Sequence, residues 1–182
     1  VKVIGNGAFQ RCTSLRTLVM DDLADTEGVS YGYGIFNECA SLNSVRLPQN
    51  MPAYNDMFVR CPSLSELVLP DAMGDIYYQA GPSVYSFSIC GMTRLDKLVL
   101  PRSVEKFPLD ENHKVDSDMN QRVTYVSFPG AKEVTQLVPG DVRILMLPAT
   151  LEKYDVSDQR AEVILFGGTE EQWNAAATDN AK

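Results

Sequence analysis

The sequence predicts a solenoid of about seven stacked repeats closed by a helix, and two observations carry this prediction. A six-residue phrase, apolar-x-x-apolar-x-apolar, recurs seven times in the 182 residues, and proline follows it directly in five of them. The steps between successive phrases, 19 to 31 residues, are typical of supersecondary units that bury their apolar faces only by stacking. The phrases begin at Leu15, Leu42, Leu64, Leu95, Val123, Val142 and Ala161.

Each phrase predicts one short strand. Positions 4 and 6 have the period of two that a strand requires, so they share one face with the core, and positions 3 and 5 point the other way. A proline directly afterwards, such as Pro70 or Pro101, has no N–H for a ladder and ends the strand. We expect short parallel strands on a concave face, with turns and short strands on the other side.

A second signal precedes the strand. Phe, Cys and Leu follow one another at steps of three, which fits one face of a helical or 3₁₀ turn packed under the strand. In the fourth repeat Ile89 and Met92 take these places, so Cys90 is out of register. Cys12, Cys39 and Cys61 should lie in one column, and the distance between neighbours in that column would allow a disulfide. Because these cysteines alternate with core residues, free thiols are favoured.

Further apolar pairs follow the prolines, as in Val104 with Phe107 and Leu151 with Tyr154, and predict a return of the chain across the opposite edge. The pattern is regular over 1–101 and degenerate over 102–166. Residues 169–178 then predict a capping helix, because Thr169 and Gln172 have the spacing of a capping box. Trp173 would fold onto the last repeat and cover it.

The combination Ala-Phe-x-x-Cys-x-x-Leu-x-x-Leu-x-Leu-Pro, with Gly-Thr-Glu-Glu-Gln-Trp-Asn at 168–174, resembles the BspA-like leucine-rich repeats of bacterial surface and secreted proteins. The resemblance covers nearly the whole chain. It implies one right-handed leucine-rich-repeat solenoid over 1–182, exported or attached to the cell surface, that serves adhesion or protein binding. It carries over no catalytic residue and implies no cofactor.

Composition excludes several classes of function. The formal net charge is -8, and the sixteen Lys and Arg are scattered, which argues against a nucleic-acid surface. No apolar run reaches the length of a membrane span. With His113 alone, and four cysteines without a C-x-x-C pair, we expect no metal site, cofactor or enzymatic activity. The chain starts at Val1 inside a repeat, so we expect it to be part of a longer exported polypeptide.

Positions 3 and 5 of the later phrases are unexpectedly apolar for a surface. We hypothesise that they form a docking patch for a protein partner, a second copy or a neighbouring domain, because monomers rarely expose such patches. Two alternatives stay open: the side chains simply stack along a parallel ladder, or the C-terminal tail covers them. The candidate residues are Tyr125, Ile144, Met146, Val163 and Leu165.

Two insertions carry the tyrosines Tyr31, Tyr33, Tyr77 and Tyr78, which could stack on sugars or peptide groups or could pack the loops down. Residues 110–120 mimic the start of a calcium loop at Asp116 and Asp118, but the required glycine and closing glutamate are missing, so we expect a solvated acidic loop. The sequence favours a protein-binding module. A structural spacer or a carbohydrate-binding module is the alternative, because fold does not decide function.

Overall fold

The computed structural model describes residues 1–20, 29–49, 51, 56–71, 78–80, 83–85, 88–107, 121–135, 141–156 and 161–178. For 78–80 and 83–85 the description covers the backbone only. These ranges contain fourteen strands and one helix. They are β1 (Val3–Ile4), β2 (Thr17–Val19), β3 (Ser30–Tyr31), β4 (Ser44–Arg46), β5 (Glu66–Val68), β6 (Tyr78–Ala80), β7 (Ser83–Tyr85), β8 (Lys97–Val99), β9 (Lys106–Phe107), β10 (Arg122–Ser127), β11 (Glu133–Val134), β12 (Asp141–Leu147), β13 (Lys153–Tyr154), β14 (Val163–Phe166) and α1 (Glu170–Ala176).

The repeated phrases form parallel strands, as predicted. Five of them make one sheet in the order β14-β12-β10-β8-β5, and β2 pairs with β4. The fourth position of the phrase points into the core, where Leu67, Leu98, Val126 and Leu145 are buried. β1 pairs with β3 in parallel, and β6 and β7 form an antiparallel pair within one insertion.

A second parallel sheet, in the order β13-β11-β9, comes from the segments after the prolines. Its strands place Lys106, Glu133 and Lys153 side by side. The Glu133 carboxylate lies 3.0 Å from the Lys153 ammonium and 3.2 Å from that of Lys106. The hydrogen bond from Lys153, followed by that from Lys106, lowers the pKa of Glu133. Opposite charges in register therefore favour this strand pairing.

In the first four repeats, the segment before the strand is a pair of linked β-turns, which corrects the prediction of a helical or 3₁₀ turn. In the first repeat the Cys12 N–H donates to the Phe9 carbonyl at 3.2 Å, and the Leu15 N–H donates to the Cys12 carbonyl at 3.0 Å. The third residue of the first turn is left-handed, with a φ of 61° at Arg11. Both conformations bring residues three apart together, so the spacing of Phe, Cys and Leu could not distinguish them.

Aromatic rings and thiols stack in columns through the first three repeats. The Phe9 and Phe36 ring centroids lie 5.4 Å apart, and those of Phe36 and Phe58 lie 5.6 Å apart, with nearly parallel planes. The Cys39 and Cys61 thiols each donate to a backbone carbonyl at 3.2 Å. All four cysteines are free, which confirms that prediction. Burial raises the pKa of the Cys61 thiol to about 12, so this cysteine is a core residue.

Helix α1 packs against the last repeat. The Thr169 hydroxyl accepts from the Gln172 N–H at 3.2 Å, and the Gln172 side chain accepts from the Thr169 N–H at 2.8 Å, so the predicted capping box is present. The Trp173 ring centroid lies 5.4 Å from that of Tyr154 and 5.5 Å from that of Phe166. Burial raises the pKa of the Tyr154 phenol. The described part of the C-terminal segment thus covers this end of the core.

Candidate interaction surface

The parallel register aligns positions 3 and 5 of the phrase into two rows across the five-stranded sheet. In the position-3 row, Tyr125 pairs with Ile144, and Ile144 pairs with Val163. In the position-5 row, Met146 pairs with Leu165. Because neighbouring strands lie about 4.8 Å apart, the five apolar residues predicted from the sequence form one contiguous surface. We call these five residues the C-terminal patch.

The C-terminal patch is accessible to solvent. Met146 is 39% exposed, Val163 45% and Leu165 46%, whereas Tyr125 and Ile144 are half-buried. The Tyr125 hydroxyl lies 2.7 Å from the Met146 sulfur, so the aromatic side chain leans along the sheet toward the neighbouring strand. The C-terminal segment, as far as Thr178, leaves the side chains of Met146, Val163 and Leu165 exposed.

Of these two rows, the position-3 row is polar toward the N-terminus. Its residues are Thr17 and Ser44 on β2 and β4, followed by an ion pair between Glu66 and Lys97 on β5 and β8. On the position-5 row of this region, Val19 and Val68 are exposed, and Val68 pairs in register with the half-buried Val99. An apolar surface that includes both rows therefore belongs to β10, β12 and β14.

Charged residues border the C-terminal patch at the beginnings of its strands. The Arg122 guanidinium lies 3.5 Å from the Asp141 carboxylate and 3.8 Å from that of Glu162. The Arg143 guanidinium lies 3.2 Å from the other oxygen of Glu162. These four side chains line a surface groove of about 380 Å³ together with Val123 and Thr124. The arrangement places an apolar area beside a polar border, as in many protein interfaces.

A second groove lies between β14 and α1. Its volume is about 370 Å³, and Ile164, Phe166 and Trp173 supply its apolar wall. Thr169 and Glu170 form the polar side of the same groove. All three apolar residues are partly buried and pack against the core. The groove therefore belongs to the junction between the last repeat and the cap, next to the free edge of β14.

The structure separates the four loop tyrosines. Tyr31 lies on β3 and is 8% exposed, and its burial raises the pKa of its phenol. Tyr33 is exposed. Tyr77, and the side chain of Tyr78, lie outside the described residues. Tyr33 is thus the described tyrosine of this set that presents a ring to solvent, and Tyr31 contributes to packing.

The described residues hold no group of three or more His, Cys, Asp and Glu side chains that could bind a metal ion. Within the same ranges, no helix combines the length and the apolar character needed to cross a bilayer. The acidic segment 110–120, with His113, Asp116 and Asp118, falls outside the described residues.

The charged border was missed in the sequence. Arg122 and Asp141 each stand directly before a phrase, and Arg143 and Glu162 each stand at its second position. The recurrence of charge at these two positions in the last three repeats was the available signal. It could not reveal the ion pairs, because they depend on how far each side chain extends, and the Arg122 side chain extends past β12 to reach Glu162.

The comparison with known families agrees with the repeat pattern. The family model of the BspA type leucine rich repeat region matches residues 1–110 in six copies. No curated protein matches the chain. A solved structure that it resembles is the crystal structure of a leucine rich cell surface protein from Faecalibacterium prausnitzii A2-165, with 15% sequence identity and a TM-score of 0.33. The match covers 96% of this chain and 66% of that one, so this chain spans somewhat less than two thirds of that protein.

Proposed function

Because the chain belongs to the BspA-type leucine-rich repeat family, we propose that it is a non-enzymatic module that binds a protein partner through the C-terminal patch. Its repeats form a right-handed solenoid with the patch on the concave face. It acts at the cell surface or outside the cell, as part of a larger protein. Family membership supports the class of module, and the surface of β10, β12 and β14 supports the choice of site.

One observation carries the proposal: three exposed apolar side chains lie next to one another on the C-terminal strands. Met146, Val163 and Leu165 are each at least 39% exposed. Met146 pairs in register with Leu165, Val163 lies two residues before Leu165 on the same strand, and Tyr125 contacts Met146. Scattered exposed apolar side chains are normal on any protein, but contiguous ones mark interaction sites. Tyrosine and methionine are also among the residues enriched in interfaces.

The neighbouring ion pairs support a protein as the partner. Arg122, Asp141, Arg143 and Glu162 supply two positive and two negative side chains. A border with both signs fits a partner that carries its own mixture of charges, whereas a polyanion would require mainly basic residues. Charge pairs of this kind tune the rate of association and the choice of partner more than the affinity.

The proposal is tested on an array that carries purified extracellular-matrix proteins, bacterial surface proteins and glycans. Wild-type protein should bind at least one protein spot, and the double variant I144S/M146S should lose that signal while keeping the melting temperature. Protein binding that persists in the double variant would place the site elsewhere. Absence of binding to every protein and glycan would favour a structural spacer.

Carbohydrate binding is the second candidate, and the exposed ring of Tyr33 is the observation that favours it. Aromatic rings stack on the apolar faces of sugars. Glycan binding that Y33A abolishes and I144S/M146S leaves intact would support this function and would contradict the patch. The two variants therefore separate the two candidates on the same array.

A further inference from the structure

We propose that Met146 is a site of reversible oxidation, and that its conversion to methionine sulfoxide by a peroxide turns the C-terminal patch from apolar to polar. The oxidation itself is independent of the proposed function, whereas the expected loss of partner binding rests on that function. Three observations support the proposal: the exposure of Met146, the burial of the other described methionines, and the contact between the Met146 sulfur and the Tyr125 hydroxyl.

Met146 differs in exposure from the other methionines that the structure describes. It is 39% exposed. The four others are at most 5% exposed and belong to the core: Met20, Met51, Met57 and Met92. A reagent in solution reaches a core methionine only when the surrounding structure opens. We therefore expect a dissolved oxidant to react with Met146 in preference to these four.

Met146 lies on β12, the middle strand of the three that carry the C-terminal patch. In register it stands between Ser127 of β10 and Leu165 of β14, and Tyr125 contacts it from β10. Oxidation of the sulfur adds a polar oxygen beside Leu165 and Tyr125. A partner that covers this oxygen must either donate a hydrogen bond to it or bury it without one, and burial without a hydrogen bond is unfavourable. A single oxygen atom at this position should therefore weaken binding to the patch.

Oxidation at this position changes the surface and leaves the core in place. The backbone of Met146 is held from both sides, since the Phe128 N–H donates to the Met146 carbonyl at 3.0 Å and β14 pairs with the other edge of β12. The core contacts of β12 belong to the inward neighbours Leu145 and Leu147, which are buried. The sulfoxide forms on the exposed face, where methionine sulfoxide reductases can reach it and restore the thioether.

The chemical step balances with one molecule of hydrogen peroxide. A lone pair of the Met146 sulfur attacks one peroxide oxygen, an S–O bond forms, and the O–O bond breaks. The departing hydroxide takes the proton from the transferred oxygen and leaves as water. The sulfur is thereby oxidised by two electrons and the peroxide is reduced, which gives methionine sulfoxide.

Tyr125 is a positioning residue for this step. A thioether sulfur has two lone pairs, and the Tyr125 hydroxyl donates to the Met146 sulfur at 2.7 Å. The hydrogen bond occupies one lone pair and leaves the other for the peroxide, so one of the two sulfoxide epimers should predominate. Y125F removes the hydrogen bond, and the two epimers should then form in more similar amounts.

The first test measures which methionine reacts. The whole chain carries M73L/M119L, because these two methionines lie outside the described residues, and we call this protein the parent variant. Hydrogen peroxide is added, and the oxidation of each methionine is followed by peptide mass spectrometry. Met146 should react about tenfold or more faster than the four core methionines, because those react only after local opening. Equal rates at all five positions would overturn the proposal.

The second test measures the polarity of the surface without a partner. Retention of the parent variant on a phenyl column should fall after peroxide treatment, while its melting temperature stays unchanged. M146L keeps an apolar side chain of similar volume without sulfur, so peroxide should leave its retention unchanged. M57L, on the parent background, is the matched core control and should respond like the parent variant. An equal loss of retention in M146L would overturn the proposal, because another group, such as the exposed Cys12, would then be responsible.

The third test measures binding on the array of extracellular-matrix and bacterial surface proteins. Peroxide should weaken the binding of the parent variant about tenfold or more and leave that of M146L unchanged, and methionine sulfoxide reductases should restore it. Unchanged binding with Met146 fully oxidised would overturn the effect on the patch. If the untreated protein binds no protein on the array, the proposed function fails, and the reaction rates and the column retention decide the oxidation by themselves.

The contribution of Tyr125 is measured by the epimer ratio. Each class of methionine sulfoxide reductase reduces one epimer, so the fraction of oxidised Met146 that each class repairs gives the ratio. One epimer should dominate in the parent variant, and the excess should diminish in Y125F. An equal mixture in the parent variant, or the same excess in Y125F, would overturn the role of the Tyr125 hydroxyl.

Discussion

The N-terminal and C-terminal halves of the chain share an interior and differ on the outward face of the strands. At position 4 of the phrase, Leu67 in one half and Leu145 in the other are equally buried. At position 3, the N-terminal half has Thr17 and Ser44, and the C-terminal half has Ile144 and Val163. The core thus stays constant while the position-3 row changes from polar to apolar.

This difference separates the requirements of stability from those of binding. Inward positions must be apolar in every repeat, because each repeat buries its face only against its neighbours. Outward positions have no such requirement, and solvated strand positions are normally polar. The apolar side chains in these rows on β10, β12 and β14 are therefore not required by the interior of the protein, which is why we propose that they take part in an interaction.

The largest expected effect tests whether the two interiors are equivalent. L67A and L145A remove matched side chains that are 1% and 0% exposed. Each should lower the free energy of unfolding by about 2–5 kcal/mol, through lost burial and the cavity that remains. Urea denaturation followed by circular dichroism measures both. A large loss for L67A with almost none for L145A would show that the degenerate repeats are not held by the same core.

A smaller effect is expected at the cap, which distinguishes the C-terminal end from the other. T169A removes the hydroxyl that accepts from the Gln172 N–H. The loss should be about 1 kcal/mol, the usual cost of removing such a cap. Thermal unfolding measures it, with N174A on the exposed side of α1 as the matched control. Equal melting temperatures for T169A and the wild type would show that the cap does not stabilise the last repeat.

The smallest effect concerns pH and the second sheet. Glu133 has a pKa below the ordinary value of 4.5 because Lys153 and Lys106 hydrogen-bond its carboxylate. A lowered folded pKa means that the folded state binds the proton less tightly than the unfolded state. The contribution of Glu133 to the stability of the fold is therefore complete above pH 4.5, and it is lost as the pH falls through the pKa of Glu133 in the folded state.

E133Q should remove this pH-dependent contribution to stability. Melting temperatures measured from neutral pH downward should fall less steeply below pH 4.5 in E133Q than in the wild type, with E152Q as the exposed control. The change should be modest, because exposed ion pairs contribute little. Identical slopes for E133Q and the wild type would show that these ion pairs do not contribute to folding.

Much of the structure follows from the sequence because its main signals are local and periodic. Apolar positions in each phrase predict the strands and their buried side, and Thr169 with Gln172 predicts the cap. The five residues of the C-terminal patch could also be identified as neighbours from the sequence, since a parallel ladder aligns equivalent positions of successive repeats. Their role in binding stays a prediction. The register of the strands places equivalent residues of successive repeats side by side on one surface.

The left-handed turns could not be predicted in the same way. Arg11, Glu38 and Arg60 have φ values near 60° although left-handed backbone is uncommon for such residues. Only Gly91, at the same place in the fourth repeat, carries a signal for this conformation. The hydrogen bonds from Arg11 and Glu38 to the next repeat offset the local strain, and such contacts are invisible in a single repeat.

The account is tested most directly by the affinity for the partner that the array identifies. M146S/L165S and V19S/V68S each replace two exposed apolar side chains on the position-5 row, in the C-terminal and N-terminal halves respectively. Surface plasmon resonance should show binding weakened about tenfold or more by M146S/L165S, as expected for residues at the centre of an interface, and unchanged by V19S/V68S. Equal losses in both variants, or a loss in V19S/V68S alone, would contradict the assignment of binding to the C-terminal patch.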